Sequence, residues 1–187
     1  MNLVFIGPPY AGKGTQTDLL SKELNIPFFS MGALIRQAYK KKDPRAIEGF
    51  EKYSLEGKHV PIHLKFPFLE ERLNTSKEGF ILDNFPATEE DLQVFNRYLE
   101  KHQKKVDKAI YVKVSKEEMH KRMQSRGRKD DNPEIVEIRR ENQDKDRIPV
   151  IDFYKSQGIL EEINGEKDIN EVHKEIIDRL GIKFGNP

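Results

Sequence analysis

The 187-residue chain has no cysteine and no tryptophan, and its 33 basic and 32 acidic residues leave a formal net charge of +1. Without cysteine there is no disulfide and no thiolate metal site, so structural zinc is not expected and a reducing, cytoplasmic setting fits. Without a surplus of either charge there is no long-range field to gather a polyanion, so nucleic acid is not an expected partner. No apolar run approaches the ~20 residues that cross a bilayer. The first residues enter a β-like stretch directly rather than a signal sequence, so no membrane association is expected. The 11 phenylalanines and 6 tyrosines read as core residues, not as a stacking platform. His59, His63, His102, His120 and His173 show no metal-binding spacing. What remains is 35% charged and 36% hydrophobic residues, enough for one domain with a sizeable core, expected as a monomer.

What is present is concentrated at the N-terminus. Leu3-Val4-Phe5-Ile6 reads as a short buried strand. Gly7-Pro8-Pro9-Tyr10-Ala11-Gly12-Lys13-Gly14-Thr15 follows, and then Leu19, Leu20 and Leu24 fall on one helical face. Strand, glycine loop and helix form the context that a phosphate-binding loop requires. Glycines let backbone N–H groups approach a phosphate, the helix N-terminus adds its positive dipole end, and Lys13 adds a point charge.

The rest of the chain alternates. Pro27 to Ser30 reads as a second strand, with Ser30 capping a helix from Met31 to about Lys42. Asp43-Pro44 opens another helix ending near Gly57. Pro61 opens a third, with Leu64, Phe68 and Leu69 on its apolar face, and Pro67 is expected to disturb it. Gly79 to Asp83 is the third strand, and Thr88, with Asp91 three residues on, caps the next helix. Ala109 to Val114 is the fourth strand, and Ser115 with Glu118 is expected to form a capping box. Asn132-Pro133 starts a further helix, whose regular part Pro149 ends or kinks. Ile159 to Ile163 is the fifth strand, and Asp168 caps a last helix stopped by Gly181. This pattern predicts an α/β fold, a doubly wound five-stranded parallel sheet covered on both faces. Ligands in such folds bind beyond the C-terminal strand ends, where Lys13, Ser30, Asp83 and Ser115 fall.

Lysine in a phosphate loop, a carboxylate after a strand, and arginines suit phosphoryl transfer, in which a protein positions groups and neutralises charge. Asp83 either holds Mg2+, directly or through water, or caps the segment after its strand. Arg122, Arg126, Arg128 and Arg139 either brace a transferring phosphoryl group or form a solvated basic end partnered by Asp130 and Asp131.

Over almost its whole length the chain resembles the adenylate kinase and nucleoside monophosphate (NMP) kinase family. The phosphate loop matches at Gly7, Pro9, Ala11, Gly12, Lys13, Gly14, Thr15 and Gln16. Ser30-x-Gly32-x-Leu34-x-Arg36, Gly57-Lys58-His59-Val60-Pro61 and Leu82-Asp83-Asn84-Phe85-Pro86 are similar to the family's acceptor-side stretches. Gly127-Arg128-Lys129-Asp130-Asp131, with Arg139 beyond it, resembles the lid hinge, and Asn164-Gly165-x-Lys167 the segment that meets the donor adenine.

The resemblance implies one P-loop kinase domain over 1–187, with a helical NMP-binding part at about 31–60 and a minimal lid at about 126–131. It implies transfer from Mg–ATP to an NMP, with AMP as acceptor and two ADP as products. Lys13, Asp83, Arg122, Arg126, Arg128 and Arg139 would be catalytic. Tyr10, Ala11, Gly12, Lys13, Gly14, Thr15, Arg122, Arg126 and Lys167 would hold ATP. Asp83, through water, and Thr15 would hold Mg2+. Met31, Gly32, Arg36, Lys58, His59, Val60, Asn84, Phe85, Pro86, Ala87, Asp91, Arg128 and Arg139 would meet the NMP.

The departures cluster. Tyr10 stands where the family usually has glycine, which predicts a bulkier or strained loop. The rest lie on the acceptor side: Met31 for threonine, Ala33 for an acidic residue, Asn84 for glycine, Ala87 for a phosphate-gripping arginine, and Asp91 for the glutamine of AMP-specific members. They leave two alternatives open: a kinase for CMP, UMP or a non-nucleotide, and a catalytically weak nucleotide-binding regulatory protein.

Overall fold

The structure is a computed structural model that describes residues 1–126 and 133–182. Among the described residues, five parallel strands pair in the order β2-β3-β1-β4-β5. They are β1 (Asn2–Ile6), β2 (Phe28–Ser30), β3 (Phe80–Asp83), β4 (Lys108–Lys113) and β5 (Leu160–Asn164). In register, Phe5 of β1 lies beside Asp83 of β3 on one side and Ile110 of β4 on the other.

Strand alternation builds two cores. Leu3 and Phe5 face one side, with Leu20 of α1 (Lys13–Leu24) and Val172 and Ile176 of α9 (Ile169–Leu180). Val4 and Ile6 face the other, with Leu69 of α4 (Ile62–Thr75), Phe95 of α5 (Glu89–Lys101) and Tyr154 of α8 (Ile148–Ser156). Period-2 alternation of wholly apolar strands is what a sheet buried on both faces demands. Between β2 and β3 the chain makes an all-helical excursion: α2 (Met31–Lys40), α3 (Pro44–Lys52), a 3-10 turn at Ser54–Glu56, and α4. After β4 come α6 (Lys116–Arg126) and α7 (Pro133–Asp146). Among the described residues no helix is long and apolar enough to cross a membrane.

The caps expected at Thr88 and Asp168 form, and Asp43 also caps its helix: each side chain accepts from a backbone N–H of the first turn. Glu171 closes the box at Asp168. Five local expectations fail. Helix α3 ends at Lys52 rather than near Gly57, and a separate 3-10 turn follows it. Ser30 occupies the N-cap position of α2, but its side chain makes no capping hydrogen bond; it is still in strand register, opposite Asp83. Helix α2 ends at Lys40 rather than Lys42, whose φ of 60° is left-handed. Pro67 does not interrupt α4. Proline inside a helix costs about 3 kcal/mol, but Ile62, Leu64, Phe66, Leu69 and Leu73 are all buried, at about 1.5–3 kcal/mol each. At α6 half of the expected box forms: Ser115 Oγ accepts from Glu118 N at 3.2 Å. The other half is redirected, because Glu118 pairs with Arg122 one turn on at 2.7 Å and Ser115 N donates to Glu166 at 2.7 Å. Asn132 lies outside the described residues.

Candidate active site

The segment from Gly7 to Gly12 joins β1 to α1 across the C-terminal end of the sheet. Gly7 has φ +153°, and a Cβ there would lie 2.5 Å from the Val112 carbonyl oxygen, so glycine is required. Gly12 is the N-cap of α1 at φ 87°, and the first turn of that helix carries no acidic residue. Its dipole end is therefore left for an anion. Tyr10 is left-handed at φ 61°, a conformation costing a side chain about 1–2 kcal/mol. Its ring packs against Met119, Met123 and Val136, which offsets that cost. Lys13 is 8% exposed and folds back over the loop, donating to Gly7 O at 2.9 Å and Pro8 O at 2.8 Å.

Arg122 braces this loop from outside. Its Nε donates to Glu118 at 2.7 Å, one terminal nitrogen to Tyr10 O at 3.3 Å, and the other to Gly165 O at 2.7 Å. Gly165 follows β5 and presses on the loop: a Cβ there would lie 2.6 Å from Val112 Cγ1 and 3.1 Å from Ala11 O. Lys167 points elsewhere, to Glu175 at 2.8 Å, and does not line the cleft. Arg126 and Arg139 belong to α6 and α7, with side chains outside the described residues; Arg128, Asp130 and Asp131 lie outside them entirely.

Asp83 ends β3 beside α1, with Oδ2 4.0 Å from where a Gly14 Cβ would stand. Its Oδ1 is buried and, among the described residues, accepts no hydrogen bond. One such carboxylate oxygen fits Mg2+, which takes one or two carboxylates and fills its remaining positions with water and substrate phosphates. Among the described residues no cluster of three or more side chains would hold a metal by itself. Thr15 lines the same cleft.

The cleft holds about 1050 Å³ and extends from the phosphate loop to the helical excursion. Met31, Gly32, Arg36, Lys58, His59 and Val60 line it there. Glycine at 32 leaves room for Arg36, whose guanidinium nitrogen would lie 3.1 Å from a Cβ at that position. Lys58 pairs with Glu56 at 2.6 Å. His59 Nε2 lies 3.3 Å from Asp146; burial, and then the charge of Lys65, hold its imidazole below the usual pKa.

Asn84, left-handed at φ 58°, and Ala87 line the cleft. Phe85 and Pro86, joined by a cis peptide bond, do not; Phe85 is 1% exposed and packs edge-on to Phe95 at 5.4 Å. Asp91 is also withdrawn, at 1% exposure. Its carboxylate pairs with Lys65 at 2.8 Å and accepts from Ala87 N at 3.1 Å. Lys65, which does line the cleft, is the residue the sequence reading passes over. Its signal was there: a lysine flanked by Leu64 and Phe66 in the buried run of α4.

A family model described as adenylate kinase matches residues 5–159. Similar curated proteins include an adenylate kinase of Leptospira biflexa, 37% identical over 184 residues, covering 95% of this chain and 98% of the relative. Adenylate kinase 1 of a Nostoc species is 36% identical over 181 residues, covering 96% and 98%. An adenylate kinase of Bacillus velezensis is 32% identical over 214 aligned positions, covering 97% and 98%; that alignment is longer than the chain, so the relative carries insertions. The match along nearly the whole sequence has one meaning: the chain belongs to the adenylate kinase family.

Proposed function

We propose that the chain transfers the γ-phosphoryl group of Mg–ATP to AMP, giving two ADP. The observation that carries this reading is one cleft lined by Lys13 and the phosphate loop, by Asp83, and by Arg36. An acceptor-phosphate oxygen attacks the γ-phosphorus, and the bond to the β–γ bridging oxygen breaks. No general base is needed, because the attacking oxygen is already anionic. The loop N–H groups and Lys13 hold the donor phosphates, and Arg122 keeps the loop in shape. Arg36 holds the acceptor phosphate. Arg126, Arg128 and Arg139 close over the transferring group by family analogy. Asp83 would hold Mg2+, which would supply neutralisation of the donor's phosphate charge.

Residues of about 31–60, helical and outside the sheet, form the mobile acceptor part; a minimal lid at about 126–131 rests on the family resemblance alone. The chain acts as a monomer on two nucleotides. A cytoplasmic setting is consistent with the cysteine-free sequence. The test is steady-state transfer from Mg–ATP to AMP, CMP, UMP and GMP in turn. AMP is expected to give the highest kcat/KM, and Lys13→Met to lower it by about 10²–10³-fold, as for loss of one transition-state donor. Full activity of Lys13→Met would overturn the site; a clear preference for CMP or UMP would overturn the acceptor.

A further inference from the structure

Lys65 and Asp91 form a buried ion pair in the wall of the cleft, with side chains 5% and 1% exposed and 2.8 Å apart. Two apolar residues of similar size would fill that place without desolvating charges. An ammonium carries three donors. Among the described residues, the hydrogen-bond acceptor of Lys65 is Asp91, while Lys65 itself lines the cleft and Asp91 does not. Lys65 is thus the member of the pair that an entering ligand meets.

We propose that Lys65 reads the base of the acceptor nucleotide, donating a hydrogen bond to an unshared pair on the ring, with Asp91 as its positioning residue. The inference rests on the acceptor being a nucleotide bound in this cleft. A phosphate is the wrong partner for Lys65: its charge is already met by Asp91, and a second anion would be repelled by that carboxylate. A neutral heterocycle edge suits a charge that is already paired. The walls agree, since Met31, Ile35 and Val60 are apolar and line the same cleft, whose other lining cations include Arg36, Lys13 and Arg122. A cation also sets the base's orientation, because an exocyclic amino group facing it would oppose donor to donor. Adenine must turn N1, N3 or N7 toward Lys65.

The experiment is calorimetric binding of AMP and of its 1-deaza, 3-deaza and 7-deaza analogues, without ATP. Wild type is compared with Lys65→Met/Asp91→Asn, which removes both charges together and so leaves no buried charge unpaired. On wild type, one analogue is expected to bind about ten- to hundredfold more weakly than AMP, the worth of one charged hydrogen bond. On the double variant AMP itself should weaken by about the same factor, and the analogue's penalty should vanish. In turnover the loss should appear in the KM for AMP, with the KM for ATP at its wild-type value. Asp91→Glu, which retains a carboxylate, should recover part of the affinity. Three analogues that bind like AMP, or a penalty that survives in the double variant, overturn the inference. Discriminating binding without phosphoryl transfer would keep the base contact and remove the proposed activity; transfer without discrimination would do the reverse.

Discussion

Gly165 shows how little room one atom has on the donor side. A methyl group there would meet Val112 Cγ1 at 2.6 Å and Ala11 O at 3.1 Å, and the residue's own carbonyl holds Arg122. Overpacking of this kind costs about 1–3 kcal/mol. At roughly 2–4 °C per kcal/mol for a chain of this size, Gly165→Ala is expected to lower the melting temperature by several degrees. It should also raise the KM for ATP, since the strain reaches the phosphate loop. A melting scan and donor titration check both; an unmoved KM would separate the loop from β5. His59 carries a pH dependence. Burial, then Lys65, depress its pKa, so below about pH 6.5 the unfolded chain binds a proton that the folded chain does not. This contribution is complete above about pH 6.5 and is lost as pH falls through that window. Denaturation midpoints at pH 7.5 and 5.5 should drop for wild type and drop less for His59→Gln. Equal drops would assign the slope to other groups.

Among the elements, α4 carries the clearest conflict between local and global preference. Pro67 lacks the N–H that would bond to the carbonyl of His63, yet the helix runs unbroken from Ile62 to Thr75. Pro67→Ala restores that bond and is expected to stabilise by about 1–3 kcal/mol, visible as a higher melting temperature. A lower one would show that ring contacts outweigh the missing bond. The same contrast explains what the sequence made legible. Thr88 and Asp168 were readable as caps because a cap involves residues two or three apart, with no tertiary contact in the decision. Ser30 and Ser115 look alike in sequence but behave differently, because Asp83 sits beside one in the sheet and Glu166 claims the other's N–H from 51 residues away.

For the molecule as a whole, the parallel sheet was legible because apolar strands and amphipathic helices alternate from end to end. The phosphate loop was legible because its groups are contiguous. The acceptor wall was not: Lys65 and Asp91 lie 26 residues apart on different helices, and only the fold turns a lysine in an apolar run into a partner for an aspartate read as a base contact. The cleft makes folding and binding one equilibrium. Mg–ATP at a hundred times its Kd should add about 2.7 kcal/mol, or roughly 5–10 °C. Chelation of Mg2+ should reduce the shift, and Lys13→Met should largely abolish it; an equal shift in that variant would place ATP elsewhere. The excursion between β2 and β3 has a consequence for inheritance. Apart from Arg128 and Arg139, every residue assigned to the acceptor comes from one uninterrupted stretch, 31–91, that leaves the sheet after β2, re-enters it as β3 and runs into the first turn of α5. Two recombination points in a gene would exchange that stretch whole. A lineage could thus acquire a new acceptor preference in one event, while the phosphate loop, Arg122 and the β4–β5 end pass down unaltered.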